Sequence, residues 1–175
     1  MHLPFVIGGS VASSAHGIAR STIDVDLVVG IAVGHARRLA SELGAQWYAD
    51  EEQMRDAIER GRSFNLLHIP TGGKFDLFPA SDEFAECQLE RAVPRDVDYF
   101  GETVRCPVAT AEDTLLAKLR WYREGGEMSE RQWSDIQGIL AINRRLDFAY
   151  VDQWAARLGV ADLLARALQS LGDER

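Results

Sequence analysis

Apolar residues follow two regimes along the chain. Up to about Pro107 they come in short runs broken by Gly and Pro, several alternating with polar residues; from Thr110 they recur every three or four residues. The first regime predicts strands at Phe5–Ile7, at Asp24–Val29, where two acids alternate with Val25 and Leu27, and, as a short one, at Gln46–Ala49. "SFNLLHI" and "KFDLFP", separated by "PTGG", predict a hairpin, and "DYFGETVRCP" a second strand pair. Between them, helices are predicted over Ser10–Ala19, with Ser10 placed to cap it, and over Ala36–Leu43, Glu51–Arg60 and Ser81–Arg91. The second regime predicts four successive helices in "TAEDTLLAKLRWYREGG", "SERQWSDIQGILAIN", "DFAYVDQWAARLG" and "VADLLARALQSLG". Thr110 and Ser129 give start signals and Gly residues the stops.

The expected fold class is therefore α+β: a small mixed sheet with flanking helices over residues 1–107, then a C-terminal helical region, 108–175, packed on it. The 175 residues, 46% of them hydrophobic, suffice for one domain with a helical extension and exclude a disordered chain. A net charge of -8 argues for a soluble protein and against a surface that binds nucleic acid throughout. Cys87 and Cys106 form neither a metal spacing nor a disulfide framework. No apolar run reaches the ~20 residues of a membrane span, and "MHLPFVIGG" lacks the regions of a signal peptide. The expectation is a cytoplasmic protein without a membrane partner.

Two acids in an otherwise apolar strand change the picture. On a strand, Asp24 and Asp26 point to one face, and two carboxylates there repel unless something positive lies between them. Mg²⁺, which takes oxygen ligands and keeps substrate phosphates among them, solves that problem. Asp76 in "KFDLF", also an acid within an apolar strand, is the candidate third ligand. Taken alone, Asp24 and Asp26 are also consistent with the solvated face of an edge strand, and Asp76 with a strand-end or turn carboxylate. Gly8-Gly9-Ser10 opens a helix, so its N–H groups and the Ser10 hydroxyl can hold phosphate oxygens.

This combination resembles the nucleotidyltransferase superfamily, the polymerase-β-like fold, and within it the AbiEii-like and MNT-like bacterial proteins. "VIGGSVASSAHGIARSTIDVDLVV" has their run of Gly-Gly, small-residue helix, His-Gly, Arg-x-Thr and D-x-D. "KFDLF" is similar to their K-x-D strand, "AEDTLLAKLRWYREGG" to their acid-then-Lys-x-Arg helix, and "RQWSDIQGIL" to the helix that follows. The resemblance implies an enzyme that transfers a nucleoside monophosphate from an NTP to an acceptor hydroxyl, in a toxin–antitoxin type of system. It implies a two-metal site for Mg²⁺, with Mn²⁺ as the alternative ion. Gly8, Gly9 and Ser10 would cradle the triphosphate; Asp24 and Asp26 would hold the metals; Asp76 would complete the second metal site and help activate the acceptor.

The resemblance also points Lys118 at the nucleotide phosphates, although a basic face beside a Leu115/Leu116/Leu119 core stripe explains it as well. Arg20 and Thr22 precede the D-x-D strand, where Arg20 meets phosphate or acceptor, or else pairs with an acid. Lys74 shares the face of Asp76, as a counter-charge or a phosphate contact. His16 reads as structural; Asp135 as a helix-packing or a site residue; Trp121, Tyr122 and Trp133 as core. The acceptor stays open among RNA, protein and small molecule, as does a protein partner encoded nearby, and the acidic balance offers no large surface for tRNA. The competing expectations are an antitoxin-like partner-binding module that keeps the fold without catalysis, and an antibiotic-modifying nucleotidyltransferase.

Overall fold

A computed structural model describes residues 1–18, 22, 24–99 and 101–173. The chain divides into two units, one of Met1–Val11 and Ser21–Ala109, the other of Ala12–Arg20 and Thr110–Arg175.

In the first unit, seven strands among the described residues form one mixed sheet. They are β1 (Phe5–Ile7), β2 (Asp24–Val29), β3 (Trp47–Tyr48), β4 (Phe64–His68), β5 (Gly73–Pro79), β6 (Val93–Tyr99) and β7 (Glu102–Val108), in the order β3-β4-β5-β2-β1-β7-β6. β2 pairs parallel with β5 and β1 parallel with β7; the remaining pairs are antiparallel. The mixed α+β architecture expected from the apolar pattern is the one observed. The helices of this unit are α2 (Ala36–Leu43), α3 (Glu51–Glu59) and α4 (Glu83–Arg91), while α1 (Gly9–His16) starts here and passes into the second unit.

Period-two alternation decides which face of the sheet is filled. Leu27 and Val29 of β2, Phe75 and Leu77 of β5, and Phe64 and Leu66 of β4 pack on one face with Ala36, Met54, Ala57 and Ile58 from α2 and α3. Burying each large apolar side chain contributes about 1.5–3 kcal/mol, so this layer anchors β2 and β5 and leaves the alternate positions on the opposite face. The acid-rich N-termini of α3 and α4 are capped by Asp50, accepting from Gln53 N at 2.9 Å, and Asp82, accepting from Ala85 N at 2.8 Å. The cap places the start of α4 at Glu83 rather than at the expected Ser81.

The second strand pair is longer than its sequence suggested. β6 begins at Val93, with Pro94 facing Pro107 and Arg95, Asp96 and Asp98 along it. Prolines and exposed charges are what an edge strand tolerates, and they disguise it as a loop.

The second unit contains α5 (Ala111–Glu124), α6 (Glu130–Ile142), α7 (Phe148–Arg157) and α8 (Ala161–Asp173), the four expected helices. Thr110 caps α5, Ser129 caps α6 and Asp147 caps α7. α5 packs on α6 and α7, and α8 on α6 and α7; Leu115, Leu116, Leu119, Ile136, Ile139, Val151 and Leu163 are fully buried. The buried Asp113 accepts from the Tyr150 hydroxyl at 2.6 Å and the Thr110 hydroxyl at 2.8 Å, tying α5 to α7. Trp121 departs from the expected core role: it is exposed, whereas Tyr122 is buried and stacks at 5.1 Å on Trp133, under the guanidinium of Arg166. A one-residue step on a helix turns a side chain by about 100°, and Tyr122 holds the inward position. Among the described residues no helix is long and apolar enough to cross a membrane.

Candidate active site

The parallel pairing of β2 with β5 brings the sequence's isolated acids together. Asp24 lies opposite Lys74 and Asp26 opposite Asp76, and Asn65 of β4 lies opposite Asp76 on the other side. All five side chains therefore rise from the face opposite the Met54 layer. The apolar partners that alternate with them, Val25, Leu27, Phe75 and Leu77, keep the strands in register and the polar face aimed.

Asp26 is seated by the glycine turn. Gly8 N–H donates to the Asp26 backbone carbonyl at 2.9 Å, and Ser10 N–H, in the first turn of α1, approaches Asp26 Oδ2 at 3.4 Å. Between them Gly9 has φ +51, and a Cβ built there would lie 1.7 Å from Asp26 Oδ2 and 2.4 Å from its Cγ. The carboxylate occupies the space that any other residue at position 9 would fill. The two glycines thus do different work. Gly8, whose amide is committed to the backbone of β2, fixes where the turn begins. Gly9 lets the helix N-terminus and the acid share one volume. Ser10 is the second residue of α1 rather than its cap, so the capping expectation gives way to an amide directed at Asp26.

Asp76 is held at both oxygens: Lys74 Nζ donates to Oδ2 at 2.8 Å and Asn65 Nδ2 to Oδ1 at 2.8 Å. The hydrogen bond to Asp76 pushes the Lys74 ammonium above its usual range, and the charges of Asp76, Asp24 and Asp26 add to this against the opposing effect of burial. Lys74 is thus a counter-charge to Asp76 in this structure, one of the two roles its position allows. Asn65 escaped the sequence reading. Its signal was there, an amide alternating with Phe64 and Leu66, but the cross-strand partner becomes visible only once the hairpin register is known.

Thr22 donates its hydroxyl to the Asp24 backbone carbonyl at 3.1 Å, bracing the entry to β2. Arg20 lies outside the described residues. Lys118 belongs to the second unit, where its Nζ donates to Asp135 Oδ2 at 2.8 Å with 10% of each side chain exposed. His16 is buried in the same unit, its carbonyl accepting from Asn143 Nδ2. A Cβ at the neighbouring Gly17 would come within 3.2 Å of the Ile139 backbone N, so the His-Gly pair serves close packing on α6.

The donor set on the acidic face consists of carboxylate oxygens, which suits a hard cation such as Mg²⁺ or Mn²⁺. Among the described residues no three His, Cys, Asp or Glu side chains are gathered into a ready-made metal site. Asp24, Asp26 and Asp76 share this face without forming such a group.

No family model and no curated protein matches the sequence. Among solved structures the chain is similar to the antibiotic-resistance factor ANT(2'')-Ia in solution, at 14% identity over 98% of this chain and 87% of that one, TM-score 0.44. It is similar to ANT(2'')-Ia in complex with adenylyl-2''-tobramycin at 18% identity over 89% and 87%, TM-score 0.48. It is also similar to an antigenic nucleotidyltransferase-like protein from Paracoccidioides brasiliensis at 17% identity over 95% and 84%, TM-score 0.47.

Proposed function

We propose that the chain is a metal-dependent nucleotidyltransferase, moving a nucleoside monophosphate from an NTP to an acceptor hydroxyl and releasing pyrophosphate. The observation that carries this reading is the seat of Asp26: a carboxylate set into the space of Gly9 at the N-terminus of α1, beside Asp24 and opposite Asp76. A sheet that needed only a polar face has no use for a positive-φ glycine shaped around one carboxylate. In this reading phosphate recognition and metal ligation would share one place.

In this reading the Gly9–Ser10 end of α1 receives triphosphate oxygens through its N–H groups and partial positive charge. Asp24 and Asp26 would hold the divalent ion that accompanies the nucleotide. That ion supplies the positive charge that stabilises attacking and leaving oxygens. Asp76, kept in orientation by Asn65, is assigned the acceptor's proton as the acceptor oxygen bonds to the α-phosphorus and pyrophosphate departs. The protein's own contribution is positioning and charge complementarity more than covalent chemistry. Lys74 and Gly9 lie close enough to the acids to govern their geometry; Gly8 and Thr22 act through the backbone of β2.

Binding of nucleotide with Mg²⁺ is expected to stabilise the folded chain. At a concentration a hundredfold above Kd the gain is about 2.7 kcal/mol, a rise in Tm of roughly 5–10 °C for a chain of this size. Thermal melts with each NTP, with and without Mg²⁺, measure it and show which base is preferred. No shift with any NTP in the presence of Mg²⁺ or Mn²⁺ contradicts the reading.

A further inference from the structure

The face that carries the acids continues past them. Asp24 lies opposite Lys74, Lys74 opposite Leu67 and Leu67 opposite Tyr48, so one row crosses β2, β5, β4 and β3. Partners across a ladder share a face, which puts Leu67 and Tyr48 on the side of the acids. Both are open to solvent, Leu67 at 40% and Tyr48 at 57% exposure. Trp47, next to Tyr48, turns to the other face, where its ring meets Phe75 at 5.3 Å and His68 at 4.7 Å. A two-residue strand is thereby anchored by its tryptophan and presents its tyrosine.

The two sides of the acids differ. Toward β1, the Gly8–Ser10 turn is fastened to Asp26 through the amides of Gly8 and Ser10. Toward β3, the same face carries Asn65, Leu67 and Tyr48. In an in-line displacement the attacking and leaving oxygens lie on opposite sides of the phosphorus. With pyrophosphate departing toward the start of α1, the acceptor hydroxyl arrives from the side of β4 and β3. Strands lie about 4.8 Å apart, which sets β3 roughly 10 Å from β5. An acceptor with one ring at Asp76 and a second over Leu67 and Tyr48 spans that distance.

We propose that Tyr48 and Leu67 form the acceptor platform, and that the acceptor is a small polyhydroxylated ring compound stacked on Tyr48. The inference rests on the nucleotidyltransferase reading and adds to it the acceptor's direction of approach and its chemical class. A phenol ring beside a leucine side chain offers a flat apolar surface to the C–H face of such a ring. An amide has two N–H groups and a carbonyl, so Asn65 can bond acceptor hydroxyls besides Asp76. Among the described residues of β3, β4 and β5, the cation on this face is Lys74, which is paired with Asp76. The platform itself therefore carries no charge to complement the phosphates of an RNA strand.

The full chain is supplied with α-phosphate-labelled NTP, Mg²⁺ and one probe at a time: maltose, with two linked uncharged rings; glycerol, with hydroxyls but no ring; or a short single-stranded RNA. Wild type is expected to label maltose about tenfold more efficiently than either of the others. Tyr48→Ala is expected to abolish that preference by raising KM for maltose, with kcat and the rise in Tm caused by NTP and Mg²⁺ unchanged. Tyr48→Trp keeps the preference. The melts also show that each variant is folded. Three results overturn the platform and leave the nucleotidyltransferase reading standing: no preference for maltose in a wild type that NTP and Mg²⁺ stabilise, a preference that survives in Tyr48→Ala, or a Tyr48→Ala protein that loses the rise in Tm. A wild type with neither a rise in Tm nor label on any probe overturns both.

Discussion

Gly9→Ala is expected to lower nucleotidyl transfer by about a hundredfold or more, whereas Gly8→Ala, one residue away, leaves most of it intact. At position 9 an L side chain must adopt φ +51 and its Cβ would fall 1.7 Å from Asp26 Oδ2. The left-handed backbone alone costs about 1–2 kcal/mol, and the carboxylate or the start of α1 must move besides. A displacement of about 1 Å at a reacting centre is enough for a hundredfold loss. At position 8 the nearest heavy atom to a new Cβ is the Asp26 carbonyl oxygen at 4.0 Å, ordinary contact. Transfer rates of the two variants under saturating NTP, with urea denaturation to show both folded, make the comparison. Equal loss at both positions would contradict the assigned seat of Asp26.

Lys118→Met is expected to cost about 3–5 kcal/mol of stability. Lys118 and Asp135 join α5 to α6 among Leu115, Leu119, Ile136 and Ile139, nine-tenths removed from solvent. Removing the ammonium takes from Asp135 the cation it meets at 2.8 Å between α5 and α6. Taking both charges away, in Lys118→Met with Asp135→Leu, recovers part of the loss, because two buried ions are replaced by apolar packing. Urea denaturation of wild type and the three variants, Asp135→Leu included, gives the coupling directly. A Lys118→Met protein as stable as wild type would return Lys118 to the solvated basic face that its sequence also allowed.

Much of this architecture could be read from residue order because its signals are local. Period-two alternation marks β2, β4 and β5, and the caps at Thr110 and Ser129 mark where helices start. The acids stood out for the same reason: Asp24, Asp26 and Asp76 interrupt apolar strands, and a strand fixes which neighbours share a face. What stayed hidden depends on pairing between distant segments. Which of two adjacent glycines matters is decided by Asp26, 17 residues beyond Gly9, through a close approach that no local pattern records. Asn65 gains meaning only from the β4–β5 register. Lys118 had two readings on its own helix, and the structure shows its partner on the next helix. β6 is longer than its sequence pattern predicts because Pro94 and its charges look like a loop until the edge position is known.

The most direct test of the central claim is transfer of label from an α-phosphate-labelled NTP with Mg²⁺ into pooled RNA, protein and small molecules. Wild type, Asp24→Asn and Asp26→Asn are compared side by side. Wild type is expected to label one pool, which identifies the acceptor class, and either Asn variant to fall at least about a thousandfold while remaining folded. Label transferred equally by wild type and the Asn variants, or by none of the three into any pool, would contradict it.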